Sequence, residues 1–337
     1  MKIVFILFVC SSFLFAHFQE RVWEVYKDSF IKRDGRVVDY YNHITHTEGI
    51  GYTLYFAYKM DDEKTFQKVY QWYKKNMKYN KFHLPAWKWG KDKQKRCFCV
   101  LDTTSATDAN LWIAYDLYKM YQKTHNILYK KDADALVRAI KKEQIIFIHK
   151  IPYLLPWEKN KIDKNNIKLN PSYMIFEIFQ FLAKQTGDKV WLQLIQNAKT
   201  TLLRARFSAL ALNSDWVIYD TKQDRYILPD NSYFGYDAIR IPLNILRSDL
   251  SQQIKRKLLQ PYKNYIKMMV GHPLGVVALQ KGEISLYNLS FGHLAIYKKI
   301  AKFYKMDTTL FDNELKKRIP KEQKDYYSYA LFFLSIL

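Results

Sequence analysis

Residues 46–76 read HTEGIGYTLYFAYKMDDEKTFQKVYQWYKKN, and this stretch decides the fold. Apolar side chains recur at three- and four-residue spacings on both sides of Asp61-Asp62. Leu54, Tyr55, Ala57 and Tyr58 come before the pair; Phe66, Val69, Tyr70, Trp72 and Tyr73 follow it. That period belongs to amphipathic helices, and two short polar residues between such runs predict a helical hairpin with a tight turn. The pattern returns at Leu111-Ile113-Ala114-Leu117, at Ile175-Phe176-Phe179-Leu182 and at Val190-Leu192-Leu194-Ile195, with Gly187-Asp188 and Ser248-Asp249 as further turns. Two-residue alternation, the mark of a strand, is confined to short pieces near Val217–Tyr226. About a dozen helices of ordinary length result, joined alternately by tight turns and longer loops. A dozen helices in sequential hairpins close into a double ring, so the expected fold is all-α, an (α/α)6 barrel.

No Pro-rich linker or charge block divides the chain, which reads as one domain. The sequence has 337 residues, 49% hydrophobic and 17% aromatic, with only 10 Gly and 9 Pro, a composition that buries a core and excludes disorder as the main state. Lys and Arg number 54 against 32 Asp and Glu, a formal charge of +22. The lysines are interleaved with Tyr, Ile, Asn and Phe along nearly every segment. A polyanion footprint clusters on one face, so the excess is read as compositional drift and no nucleic-acid partner is expected. Three cysteines exclude a disulfide framework. Cys97 and Cys99, two apart, are expected to stay unpaired and are given no function.

Lys2 is followed by an apolar run from Ile3 to Ala16 interrupted only by Cys10, Ser11 and Ser12. The run has signal-peptide length and is short for a membrane span. Residues 1–16 are therefore expected to be an export signal, cleaved near His17, and residues 17–337 a single catalytic domain, secreted or periplasmic, with no stable membrane insertion after cleavage. Leu14 fits the cleavage pattern poorly, so the exact site stays open. A lipoprotein signal at Cys10 is weaker, because Val9 is bulky.

The unusual residues gather at four loop-to-helix junctions: Thr47-Glu48-Gly49-Ile50-Gly51-Tyr52, Ser105-Ala106-Thr107-Asp108-Ala109, Asn170-Pro171-Ser172-Tyr173 and Gly235-Tyr236-Asp237-Ala238-Ile239-Arg240. They recur roughly every 60 residues, which would bring them to one end of a barrel. Glu48 either complements a helix dipole or serves as a general acid. In the second reading Gly49 and Gly51 leave the backbone open to a ligand, and partial burial raises the carboxyl pKa. Asp108 reads equally as a helix cap. Asp237, three residues before Arg240, reads equally as a salt-bridged cap. Trp87, Trp89, Trp112, Trp157, Trp216, Tyr173 and Tyr236 accompany these acids, and aromatic rings with carboxylates suit a carbohydrate groove. His43, His46 and Glu48 do not form an HExxH arrangement, so no metal is expected. Walker A, GxGxxG and GxSxG motifs are absent, and no cofactor is expected.

Taken in order, these blocks resemble glycoside hydrolase family 8. His46-Thr47-Glu48-Gly49-Ile50-Gly51-Tyr52 with Asp62, Phe66 and Trp72 is similar to the family's opening helices, and Leu84-Pro85-Ala86-Trp87 to its Trp-bearing loop. Ser105-Ala106-Thr107-Asp108-Ala109-Asn110-Leu111 with Ile113-Ala114-Tyr115, then Asn170-Pro171-Ser172-Tyr173, Asp215-Trp216 and Tyr236-Asp237-Ala238-Ile239-Arg240 continue the resemblance across about residues 20 to 310. Thr47, Asn110 and Ser214 depart from common family residues without removing a candidate catalytic group. The nearest branch is the secreted endoglucanases associated with bacterial cellulose synthesis. The resemblance implies an open substrate groove and an inverting endo-β-1,4-glucanase, with Glu48 as general acid, Asp237 as general base and Asp108 holding the distorted sugar. An inverting pair keeps about 6.5–9.5 Å between its carboxyls, room for a water. Arg240 would orient Asp237, and Trp87, Trp112, Tyr173 and Tyr236 would bind the sugar chain. The implied partner is a β-1,4-linked polysaccharide, with an association with a cellulose-synthesis system, and the protein is expected to act as a monomer. The rivals are the same fold acting on xylan or another β-linked polymer, and a non-catalytic polysaccharide binder.

Overall fold

The computed structural model describes residues 2–77, 79–285, 289–322 and 324–337, with side chains from residue 16 onward. Twelve α-helices are present among the described residues. In chain order they are α1 (Lys2–Phe30), α2 (Thr47–Lys59), α3 (Glu63–Asn76), α4 (Thr107–Thr124), α5 (Ile127–Glu143) and α6 (Phe176–Thr186). Then come α7 (Val190–Arg204), α8 (Arg240–Arg247), α9 (Gln252–Lys267), α10 (Phe291–Phe303), α11 (Thr309–Arg318) and α12 (Tyr326–Ile336). The even-numbered helices touch in sequence, α2 on α4, α4 on α6, and so on to α12, which closes back on α2. Each odd-numbered helix from α3 to α11 packs outside the even helix that precedes it in the chain, and α1 packs on α12. The result is the expected (α/α)6 barrel.

The turns read from the sequence hold. Asp62 caps α3 by accepting the Thr65 amide at 2.9 Å, and Gly187 ends α6 at φ 68°, a left-handed conformation open to glycine. The core is strongly aromatic, with Trp191, Tyr26, Tyr52, Tyr73, Tyr118 and Tyr262 among its fully buried side chains. Rings of this size dominate core burial, and a buried hydroxyl then needs a partner. Tyr26 shares a proton with Thr53 at 2.7 Å, and Tyr262 donates to Asn213 Oδ1 at 2.8 Å.

Every strand lies in a connection that leads from an odd helix into an even one, hence at the N-terminal end of the inner ring. The strands β1 (Thr45–His46), β2 (Lys88–Asp92) and β3 (Cys97–Asp102) form one antiparallel sheet, and β4 (Ile145–Ile148) pairs with β5 (Ile151–Leu154). The others are β6 (Asn166–Leu169), β7 (Val217–Asp220) and β8 (Arg225–Ile227) in one sheet, and β9 (Tyr233–Phe234), β10 (Val277–Ala278) and β11 (Glu283–Ile284) in another. Only the β7–β8 hairpin was legible from alternation.

Two expectations meet the structure differently. Cys97 and Cys99 are joined in a disulfide, with Cα atoms 5.7 Å apart. Both lie on β3, where residues two apart share a face, so a separation within disulfide reach replaces the expected free thiols. The expected cleavage point near Ala16 falls inside α1, whose backbone runs on to Phe30; the side chains of residues 1–15 lie outside the described set. Beyond that point α1 is part of the barrel. Val22, Trp23, Tyr26 and Phe30 are buried, Gln19 Nε2 donates to the Ile336 carbonyl at 2.8 Å, and Trp23 Nε1 donates to Asp62 at 3.1 Å. Among the described residues no helix is long and apolar enough to cross a membrane.

Candidate active site

The four junctions do converge. A cleft of about 520 Å³ opens where the inner helices begin, and Glu48, Trp87, Asp108, Tyr173, Tyr236, Asp237 and Arg240 all line it. Glu48 stands in the first turn of α2. The cap of that helix is His46, whose Nδ1 accepts the Gly49 amide at 3.1 Å, so His46 serves the backbone here. Glu48 is thereby relieved of capping and points into the cleft. Contrary to the expectation from sequence, the two glycines do not open the backbone to a ligand. A Cβ on Gly51 would lie 2.7 Å from the Cβ of Trp112, and one on Gly49 would lie 2.6 Å from the Tyr326 hydroxyl. They let α4 and α12 approach α2.

Arg240, the first residue of α8 and almost fully buried, is the hub. Its Nη1 donates to Asp108 Oδ2 at 2.8 Å and to Glu48 Oε1, while Nη2 donates to Asp237 Oδ1 at 2.5 Å. Three carboxylates on one guanidinium would carry a net charge of −3 + 1 = −2 if all were ionised. Burial opposes that charge and favours the protonated forms of the buried acids. Burial pushes Glu48 above the usual carboxylate range, with Asp237 nearby adding to the effect and Arg240 opposing it. Burial likewise pushes Asp108 up to about 7, against the pull of Arg240. Tyr52 donates its hydroxyl to Glu48 Oε1 at 3.0 Å, and Asn170 Nδ2 donates to Asp237 Oδ2 at 3.1 Å. The side chains of Asp108, Glu48 and Asp237 are 4%, 19% and 31% exposed, so Asp237 is the acid most open to water.

Neither aspartate is a conventional cap. Asp108 follows Ala106, which caps α4 without its side chain. The turn into α8 is held by Asp215, whose Oδ1 accepts the amides of Gly235, Asp237 and Ala238 at 3.1, 3.0 and 2.7 Å. Asp237 is thus free to present its carboxylate.

The aromatic residues divide. Trp87 is half-buried at the cleft wall, Tyr173 lies under the Arg240 guanidinium at 5.6 Å, and Tyr236 is 56% exposed. Trp216 sits 6.4 Å from Tyr173 and 5.8 Å from Trp157, extending the aromatic wall beyond the cleft. Trp112 is different. It is 2% exposed and packs edge-on against Tyr52 and Tyr55 beneath the cleft floor, so it is a core residue with no face for a sugar. Sequence reading missed Tyr326 and Tyr327, which begin α12 and line the cleft. It also missed Tyr52 and Asn170 as partners of the two acids, and Asp215 as the turn's anchor. His293 is buried with its ring edge-on to Tyr236 at 5.0 Å, and Tyr327 donates to the Tyr236 carbonyl at 2.5 Å, which together fix the exposed ring.

A family model described as "Glycosyl hydrolases family 8" matches residues 2–337. An endoglucanase of Xanthomonas axonopodis pv. citri (strain 306) is 30% identical over 245 residues, which span 71% of this chain and 63% of that protein, less than two thirds of its length. The solved structure of an endo-1,4-D-glucanase from Vibrio fischeri ES114 superposes with a TM-score of 0.83 at 25% identity, covering 93% of each chain. The endo-β-1,4-glucanase CMCax from Acetobacter xylinum superposes with a TM-score of 0.81 at 25% identity, covering 94% of this chain and 96% of that one.

Proposed function

The chain belongs to glycosyl hydrolases family 8, and on that premise we propose that it is an exported, inverting endo-β-1,4-glucanase acting on cellulose-like glucan. The observation that carries this reading is the meeting of Glu48, Asp108 and Asp237 on Arg240 in an open cleft walled by Trp87, Tyr173 and Tyr236. Glu48, whose pKa burial raises, gives its proton to the glycosidic oxygen as the bond to the anomeric carbon breaks. Asp237, the acid most open to water, removes a proton from a water attacking the same carbon from the opposite face. One water is consumed and the anomeric configuration inverts. Glu48 ends ionised and Asp237 protonated, and exchange with solvent resets both. Asp108, buried and tied to Arg240, accepts hydroxyl hydrogens of the distorted sugar between them.

Residues 1–16 would be removed on export and residues 17–337 would act as a monomeric catalytic domain beside a cellulose-synthesis system. The contacts of α1 with the rest of the barrel at Gln19 and Val22 support a mature start near His17. Proton NMR of cellopentaose digestion by the chain from His17 tests the proposal. The α-anomer should appear first and should be lost in Glu48→Gln. A β-anomeric first product refutes the inverting route; cleavage of xylan but not of cellopentaose moves the substrate to another β-glycan.

A further inference from the structure

We propose that a second binding site for the glucan chain lies outside the catalytic cleft, in a hollow between the β1–β3 sheet and α3, with Phe98 as its stacking platform. The inference rests on the glucanase reading above and adds to it a place where the same polymer is held without being cut.

The hollow measures about 560 Å³, close to the volume of the cleft itself. Phe98 is 60% exposed at its edge and lines the hollow together with Trp89 and Trp72. It stacks on Trp89 with centroids 5.7 Å apart and planes 24° off parallel, and Trp89 leans edge-on against Trp72 at 5.1 Å. The Arg36 guanidinium lies 4.5 Å from the Trp89 ring and 5.8 Å from that of Phe98. Arg36 is itself fixed, donating to Thr45 Oγ1 at 3.0 Å and to the His43 carbonyl at 3.3 Å. The Cys97–Cys99 disulfide ties the backbone on either side of Phe98. A platform held in this way has little freedom to lose when a ligand settles on it.

Around the rings stand polar groups with spare capacity. The side chains of Gln71 and Lys75, one helical turn apart on α3, form no hydrogen bond or ion pair among the described residues. Asn76 uses its Nδ2 on the Trp72 carbonyl at 2.9 Å, which leaves its carboxamide oxygen free. Among the described residues Asp34 accepts only the Arg36 amide, at 3.1 Å through Oδ1, and Oδ2 has no partner. Aromatic faces take the C–H face of a sugar ring, and amides and carboxylates around them take its hydroxyls. One acid against two bases gives the hollow no strong charge preference, which favours a neutral glycan over an anion. The hollow also lies next to the cleft, across the β2 strand. Lys88, the first residue of β2, lines the cleft, and Trp89, the second, faces this hollow, as alternation along a strand requires. A chain held here stays beside the cleft through successive cleavages.

The test uses Glu48→Gln, which binds without cutting, and measures partition onto microcrystalline cellulose with and without Phe98→Ala, with melting temperature confirming the fold. The expected result is about a tenfold weaker partition for the double variant, the loss of one stacking contact of roughly 1.4 kcal/mol. Phe98→Tyr in the same background should restore it. Equal partition with and without Phe98→Ala overturns the second site, as does absence of cellulose binding by Glu48→Gln in a protein whose wild type cleaves cellopentaose. A wild type that cleaves no β-1,4-glucan at all refutes the glucanase reading instead, so the two failures are distinguishable.

Discussion

Replacing Arg240 with methionine keeps an unbranched apolar stem and removes the guanidinium shared by Glu48, Asp108 and Asp237. Breaking a buried ion cluster by deleting one partner costs about 3–5 kcal/mol, because the remaining charges are left uncompensated. Unfolding entropy of about 2.1 cal/mol/K per residue gives this chain about 0.7 kcal/mol/K, so the melting temperature should fall by about 4–7 °C at pH 8. The loss should depend on pH. Glu48 and Asp108 are already raised with Arg240 present, and without it nothing opposes burial, so both rise further. Acids that bind protons more tightly folded than unfolded favour the fold below the unfolded value and disfavour it as pH climbs through the folded one. At pH 4.5 Glu48 and Asp108 of the variant bind protons more fully and need the cation less, and the deficit should shrink to less than half. Calorimetric melting of both proteins at pH 4.5 and pH 8 reads the difference. A deficit of equal size at the two values, or a larger one in acid, would refute the charge-sharing argument and leave Arg240 as a packing residue.

The two tryptophans expected to stack on substrate should separate. In a Glu48→Gln background, Trp87→Ala should weaken cellopentaose binding about tenfold by calorimetry with little change in melting temperature, whereas Trp112→Ala should lose about 3–5 kcal/mol of stability as a core cavity. Tyr52→Phe removes a donor that favours ionised Glu48, so the Glu48 pKa rises and, if Glu48 acts as proposed, the alkaline limb of kcat should move to higher pH; a shift to lower pH would contradict the role of the hydroxyl. Asp116 is fully buried on α4, with neither carboxylate oxygen hydrogen-bonded among the described residues, and burial holds its pKa well above the usual range. Asp116→Asn removes a group that must stay protonated, so the variant's melting temperature relative to wild type should climb between pH 5 and pH 8; a flat difference would mean that the carboxyl is not buried neutral.

Much of this was legible because the barrel is built from local signals. Helical period, the Asp62 cap and the Gly187 terminator are each written within a few residues. The spacing of the four junctions announced that Glu48, Asp108, Tyr173 and Asp237 would meet. What escaped notice depends on partners distant in sequence. Trp87 and Trp112 look alike as letters, and only the packing of α4 on Gly51 sends Trp112 into the core. Gly51 was read as an opening for ligand when it is the hollow into which that tryptophan packs. Asp215 supports the turn from about 20 residues upstream, and Tyr326 and Tyr327 come from a helix whose apolar run reads only as core. Cys97 and Cys99 were judged by a spacing rule, where strand geometry puts both on one face.

The direction of the inner helices has an electrostatic consequence. All six begin at the end where the cleft lies, and α2, α4, α8 and α12 contribute cleft residues from their first turns. Each helix start carries roughly half a positive charge, worth up to about 2 kcal/mol to a partly buried anion. Glu48 and Asp108 sit in the first turns of α2 and α4, so the ring adds its own positive potential to the single guanidinium. Reversing the hairpin order would bring the negative helix ends to the same place and leave three carboxylates with Arg240 alone. The fold therefore sets how many acids the cleft can hold, and Arg240 sets how they share the remaining charge. This division matches the placement of the two most buried acids, Glu48 and Asp108, on helix starts, while Trp87, Tyr173 and Tyr236 come from the connections. Stacking surfaces need exposure, and buried carboxylates need a field.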